Sequence, residues 1–301
     1  MAVLAEQERL LLILSNLPGL GGRGLAALLA SGIPLRQLFM LPAEELSGRF
    51  GLTRRATAAI AGGPEALRLR VAPLERLVCR YGIRLLRHGQ PGYPRRLAHL
   101  DEAPPVLYAY GNLDLLDRPA IALLASTGER REDLECLAAL ASTFARAGAT
   151  VVAGHNRPGY RAAVAAAKAV GGARCYVLDR GLAAAFGEDL DRDLFPTARV
   201  WGYGFDHELS LALSPFPLAA PFVGLHNRLR DRLVSSLASW VVAVAVRSGG
   251  VMEGECRAAR ARGTPVYVCA SPAAPPGNRA LLAEGYPALP EEPARIVNSE
   301  Y

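Results

Sequence analysis

Residues 119–154 constrain the fold more tightly than any other stretch of the chain. An apolar run, Ala120-Ile121-Ala122-Leu123-Leu124, ends in Ala125-Ser126-Thr127-Gly128 and leads into a helical pattern. Leu134, Leu137, Ala138, Ala141 and Phe144 recur at three- and four-residue spacings, which predicts a helix over residues 130–147 with Gly148 as its C-terminal cap. Thr150-Val151-Val152-Ala153 then reads as a short buried strand. Strand, loop, helix and strand in this order make the unit of a doubly wound parallel sheet, whose first strand-to-helix loop is where phosphates bind against a helix N-terminus. The loop here lacks the glycines of such a site. The pattern therefore predicts a nucleotide- or nucleic-acid-type fold with an altered anion site.

The chain has 301 residues, 51% hydrophobic and 21% charged, enough for one large domain and a small one. No apolar run approaches the ~18 residues of a membrane span, and residues 1–19 lack a basic start followed by an uninterrupted apolar core. The expectation is a cytoplasmic protein with no membrane partner. Cys79, Cys136, Cys175, Cys256 and Cys269 are odd in number and never form a Cys-x-x-Cys pair, so they read as buried small residues, with neither a disulfide framework nor a zinc site. His155 has no cysteine or carboxylate at ligand spacing, and no cofactor is expected. The formal net charge of +6 permits an anionic partner, and Lys168 is the only lysine. The positive charge is thus carried by arginine, whose planar fork suits phosphate and stacks on bases, although a genome rich in Arg, Ala and Gly codons produces the same composition.

The small unit comes first, over residues 1–70. Leu17-Pro18-Gly19-Leu20-Gly21 joins an apolar helical turn to Gly24-Leu25-Ala26-Ala27-Leu28-Leu29, a helix-hairpin-helix pattern whose glycines let backbone N–H groups face a DNA phosphate. The alternative is a helical interaction module that uses the same turn without touching DNA. Leu41-Pro42-Ala43-Glu44-Glu45-Leu46 and residues 53–60 read as a looser second copy. Residues 62–73 turn to Gly, Pro and Arg, a helix is expected over 73–80, and Ile83-Arg84-Leu85-Leu86 reads as an edge strand. The large unit then occupies residues 73–301.

Further along, Tyr93-Pro94-Arg95-Arg96-Leu97 and Pro104-Pro105-Val106-Leu107-Tyr108-Ala109-Tyr110-Gly111-Asn112 stand immediately before the opening strand. Arg174-Cys175-Tyr176-Val177-Leu178 reads as a third parallel strand, with a helix over residues 160–170 before it. Ser214-Pro215-Phe216-Pro217, Arg230-Asp231-Arg232, the strand over residues 240–246 with Arg247-Ser248-Gly249-Gly250, the strand over 265–269, and Gly277-Asn278-Arg279-Ala280-Leu281-Leu282 follow. In order and spacing these pieces resemble the DNA-processing protein A family (DprA, also called Smf) over nearly the whole chain. The resemblance implies an extended Rossmann-like parallel sheet, α/β in class, behind a small all-α helix-hairpin-helix domain. It also implies a non-catalytic protein that binds single-stranded DNA without sequence preference during natural transformation, helps load a RecA-type recombinase, and forms a homodimer through the Rossmann domain. The family's optional C-terminal winged helix is expected to be missing.

Single strands are held by a basic groove for the backbone and planar side chains for bases, and three loops are expected to build it. In the first, Ser126 and Thr127 stand where the family has Ser-Arg, with Arg130 and Arg131 one turn on as replacements or as solvated helix-start residues. In the second, Gly154 and Arg157 fit the family pattern while Pro158 replaces a glycine and Tyr160 an acid; Tyr160 either stacks a base or packs in the core. The third comprises Arg228, Arg230 and Arg232, with Ser248, Gly249 and Gly250 as backbone donors at the next strand end and Asn278 in the closing motif. Glu253 and Glu255 bring acids close to that turn. Gly249-Gly250-Val251-Met252-Glu253 also weakly resembles the signature of Rossmann nucleotide phosphoribohydrolases (the LOG family), in which a glutamate supports N-glycosidic cleavage. That nucleotide-binding or hydrolytic reading, and a degenerate paralogue with weakened DNA binding, are the alternatives.

Overall fold

In the computed structural model, residues 4–187, 189–200, 202–271 and 273–298 are described. The N-terminal unit is all-helical: α1 (Glu6–Ser15), α2 (Gly22–Ala30), α3 (Leu35–Leu38), α4 (Ala43–Gly48), α5 (Arg54–Ala61) and α6 (Gly63–Tyr81). Thr53 ties the two hairpins together. Its Oγ1 accepts from the Ala56 N–H at 3.2 Å, capping α5, and donates to the Gly19 carbonyl at 3.0 Å in the first hairpin turn. The Gly-, Pro- and Arg-rich stretch where the domain boundary is expected forms the first half of α6, and Pro73, expected to start a helix, lies inside it. Proline removes the bond to the residue four before it, Leu69, which is exposed, so water can serve the freed carbonyl.

The remaining chain forms a mixed eight-stranded sheet: β1 (Arg84–Arg87), β2 (Val106–Gly111), β3 (Ala120–Ala125), β4 (Thr150–Ala153), β5 (Arg174–Val177), β6 (Ser210–Ser214), β7 (Trp240–Ala245) and β8 (Val266–Val268). Their spatial order is β1-β2-β6-β5-β4-β3-β7-β8. The six strands from β6 to β8 run parallel, and β1 and β2 are antiparallel additions at one edge. Between the strands lie α7 (Arg95–Ala98), α8 (Arg131–Arg146), α9 (Pro158–Ala169), α10 (Leu182–Phe186), α11 (Pro196–Val200), α12 (His226–Leu237), α13 (Val251–Ala261), α14 (Pro276–Ala283) and α15 (Arg295–Asn298).

Alternation along the central strands sorts their side chains onto two faces. Ile121, Leu123, Trp240 and Val242 join α8 residues Leu137, Ala141 and Phe144 in one apolar cluster. Ala122, Leu124, Val241 and Ala243 join Leu233 and Val234 of α12 in the other. This second cluster continues into the helical unit through Leu12, Ile13 and Leu14. A polar anchor lies at the junction, where the Tyr108 hydroxyl on β2 meets Ser15 Oγ at 2.5 Å and accepts from Asn16 Nδ2 at 2.8 Å. The two units therefore share a core. Among the described residues no helix is long and apolar enough to cross a membrane.

Candidate nucleic-acid interface

The chain leaves β3 through α8 toward β4 on one side, and returns later to place β7 on the other. Adjacent loops diverge at such a switch point and leave a crevice beyond the carboxyl ends of the strands. At its centre the Ser126 N–H donates to the Ala245 carbonyl at 2.8 Å, and Ser126 Oγ accepts from the Arg247 N–H at 3.0 Å. The hydroxyl thus ties two loops together and keeps its own proton available to a ligand. Thr127 beside it is exposed.

Asn278 does not reach this surface. It is fully buried beneath the β7 loop, where Oδ1 accepts from the Val246 N–H at 2.8 Å and Nδ2 lies 3.0–3.1 Å from the carbonyls of Ala243, Val244 and Cys269. Its neighbour must be glycine, because a Cβ on Gly277 would stand 2.5 Å from the Val246 carbonyl oxygen. The expected phosphate ligand is therefore a structural staple. Asn278→Ala is expected to lower unfolding stability by about 2 kcal/mol, since a buried N–H and several carbonyls lose their partner; a denaturant titration measures this.

A second cluster lies where the β4 loop meets α12. Arg230 is fully buried, with Nε 2.8 Å from Asp231 Oδ1 and Nη1 3.6 Å from Asp179 Oδ2. Nη1 also donates to Asn156 Oδ1, and the guanidinium lies over the Tyr160 ring at 5.2 Å. This corrects the expectation that Arg230 faces a phosphate. Gly154 permits the arrangement, since a Cβ there would come within 2.6 Å of Arg230 Cδ and 2.7 Å of Tyr160. Tyr160 is core, and its hydroxyl donates to Asp231 Oδ1 at 2.8 Å. Arg157 pairs with Asp231 at 3.2 Å, and Arg232 is half-buried and paired with Glu102 at 3.1 Å. Arg228, one turn before Arg232, is exposed and has no ion pair among the described residues.

Burial holds His155 beside this cluster down to about 4, helped by Arg180, Arg230 and Arg161 and opposed by Asp179. Its neutral ring is thus built into the fold, while in the unfolded chain it protonates near its ordinary 6.5. Between those values the unfolded state binds more protons, so stability is whole above about pH 6.5 and declines as pH falls toward about 4. Replacing His155 with Gln is expected to flatten this part of the stability profile, as thermal melts across that range measure.

Internal carboxylates occupy the seats where such loops usually hold anions. Glu129 Oε1 accepts from the Gly159 N–H at 3.2 Å, at the N-terminus of α9. Glu253 Oε2 accepts from the Gly249 N–H at 2.7 Å and pairs with Arg257 at 3.1 Å, so this glutamate secures its own turn. Glu255 is bound by Ser235 Oγ at 2.7 Å. Arg130 is drawn back to Asp133 at 2.9 Å, which offsets its unfavourable place at a helix start. Arg247 is exposed and free of ion pairs among the described residues, as Arg228 is, and Ser248 and Gly249 are exposed beside it with Gly250 half-buried. Sequence reasoning placed Arg247 in its turn but not among the binding residues, and it missed Glu129 and Asp179. No group of three or more His, Cys, Asp or Glu able to hold a metal ion occurs among the described residues.

A helical module fused to a doubly wound sheet with two antiparallel strands added at one edge defines an extended Rossmann protein. The chain belongs to the DNA recombination-mediator protein A family, whose sequence model matches residues 84–299. Its fold is similar to that of DNA processing protein A (DprA) from Streptococcus pneumoniae, at 19% identity and TM-score 0.71, covering 100% of this chain and 99% of that one. It is also similar to DNA processing protein A from Helicobacter pylori, a structure described for its single-stranded DNA binding mode, at 18% identity and TM-score 0.59 over 73% of this chain and 95% of that one. No curated protein sequence matches the chain.

Proposed function

We propose that the protein binds single-stranded DNA without sequence preference and without catalysis, in the crevice at the carboxyl edge of the sheet. The observation that carries the reading is a pair of exposed arginines with no ion pair among the described residues: Arg247, whose N–H binds the Ser126 hydroxyl beside Thr127, Ser248 and Gly249, and Arg228 in the first turn of α12. These groups suit a phosphate backbone, and planar guanidinium faces suit any base. The single-stranded DNA binding described for the Helicobacter pylori relative supports the same assignment. Cleavage of an N-glycosidic bond is less well supported, because Glu253 is buried with its Oε2 held by Gly249 and Arg257, which leaves only the buried Oε1 without a hydrogen-bond partner.

The reading extends to DNA uptake in natural transformation, a homodimer through the Rossmann domain and delivery of the strand to a RecA-type recombinase in the cytoplasm. Fluorescence anisotropy with labelled ~20-nucleotide oligothymidylate and a mixed-sequence strand is expected to give affinities within about threefold of each other. A preference of a hundredfold for one sequence would contradict non-specific binding. Glu129→Gln removes the anion that competes for the α9 seat and is expected to tighten binding roughly fivefold at ~50 mM salt; a weaker or unchanged affinity would place the strand away from Gly159.

A further inference from the structure

Beside the crevice, a groove of about 970 Å³ runs between the helical module and α12. One wall is the hairpin turn that carries Gly21, Gly22 and Arg23; the other is the first two turns of α12. Glu102 spans the two, 3.6 Å from Arg23 and 3.1 Å from Arg232. The bridge is open to water, with the Arg23 side chain 97% and that of Glu102 64% exposed. A carboxylate so placed between two arginines from different units is weakly held and open to displacement by a stronger anion such as a phosphate.

Three further features point to the same occupant. The helix α2 has no side-chain cap, and a Cβ on Gly21 or Gly22 would meet nothing within 4 Å, so packing does not require these glycines. His226 and Phe216 lie in a stack with centroids 3.8 Å apart and planes at 19°, and both line the groove. The stack is fixed from the crevice side, since His226 Nδ1 lies 2.9 Å from the Asp179 carbonyl at the end of β5. Arg228, free of ion pairs among the described residues, also lines the groove. Asp101 and Glu255 are the opposing acids in the lining.

We infer that the groove carries a second stretch of the same single strand, with a DNA phosphate displacing Glu102 from Arg23 and Arg232 and a base lying against the His226 face. The inference rests on the proposed single-stranded DNA reading. It makes the helical module part of the binding surface and sets a length requirement: a strand must be long enough to leave the crevice before it reaches the module. A site of ~4–16 nucleotides per binding surface puts that transition between a ~6-mer and a ~20-mer.

The test uses the full chain and labelled oligothymidylates of ~6 and ~20 nucleotides, with Arg23→Ala and Glu102→Gln, both at exposed positions outside the crevice. Each contact to a single strand contributes about 0.7 to the salt slope, so Arg23→Ala is expected to weaken ~20-mer binding about eightfold at ~50 mM salt and leave the ~6-mer unchanged. Glu102→Gln is expected to tighten only the ~20-mer. If the ~6-mer binds but neither variant changes the ~20-mer, or both lengths respond equally, the groove is not part of the path. If neither length binds, the functional reading fails and takes this inference with it. Photocrosslinks from halogenated thymidine analogues in the ~20-mer are expected on residues 20–26 and 225–232. Crosslinks confined to the crevice loops would also overturn the proposal.

Discussion

Replacing Arg230 with alanine is expected to lower unfolding stability by about 3–5 kcal/mol, the cost of removing a fully buried cation from a buried charge network. Asp179 and Asp231 are as inaccessible as Arg230 itself. Without the guanidinium, Asp231 retains Arg157 at 3.2 Å and the Tyr160 hydroxyl, and Asp179 retains Arg180 at 2.9 Å. Neither can turn to water, because both carboxylates are buried. Arg230→Lys keeps the charge but cannot span Asp179, Asp231 and Asn156 at once, so an intermediate loss is expected. Denaturant midpoints measure both. An Arg230→Ala protein with the wild-type midpoint and a selective loss of DNA affinity would show instead that this side chain reaches the surface.

The double variant Arg228→Ala, Arg247→Ala carries the largest expected effect on binding. A single-strand phosphate contact changes log affinity by about 0.7 per decade of salt, which amounts to roughly 0.9 log units at ~50 mM; two contacts give a loss on the order of 50-fold. The salt slope should fall by about 1.4 at the same time. Both side chains are exposed and make no ion pair among the described residues, so stability is expected to stay near wild type. Loss of affinity with an unchanged slope would mean that these arginines act through shape and not through phosphate.

The scaffold was legible because its central strands are long apolar runs. Ala120 to Leu124 and Trp240 to Val246 announce strands, and the spacing of Leu137, Ala141 and Phe144 announces α8 within a residue at each end. The strand β6 was missed because its three apolar residues, Leu211 to Leu213, sit between two serines and yield no long run. The break expected near Pro73 was wrong for a local reason: the bond that proline removes falls on the solvent-facing side of α6.

Side-chain direction was the harder part of the site. A loop can be placed by its glycines, but whether an arginine faces out depends on the helix face it shares. Arg230 lies three, four and seven residues before Leu233, Val234 and Leu237, the apolar face of α12, and that spacing was the available signal for its burial. Asn278 likewise precedes Leu281 by three on α14. Glu129 carried no such signal. Its role depends on the meeting of the β3 and β4 loops, which only the parallel register of those strands creates.

In the proposed function the carboxyl edge of the sheet binds a single strand through its phosphates. Titration of the wild-type protein with a labelled ~20-nucleotide single strand from ~50 to ~300 mM salt tests it most directly. Binding is expected at the low end, with a linear fall of log affinity with log salt and a slope of magnitude at least about 1.4 from Arg228 and Arg247. Undetectable binding at ~50 mM, or an affinity indifferent to salt, would contradict it.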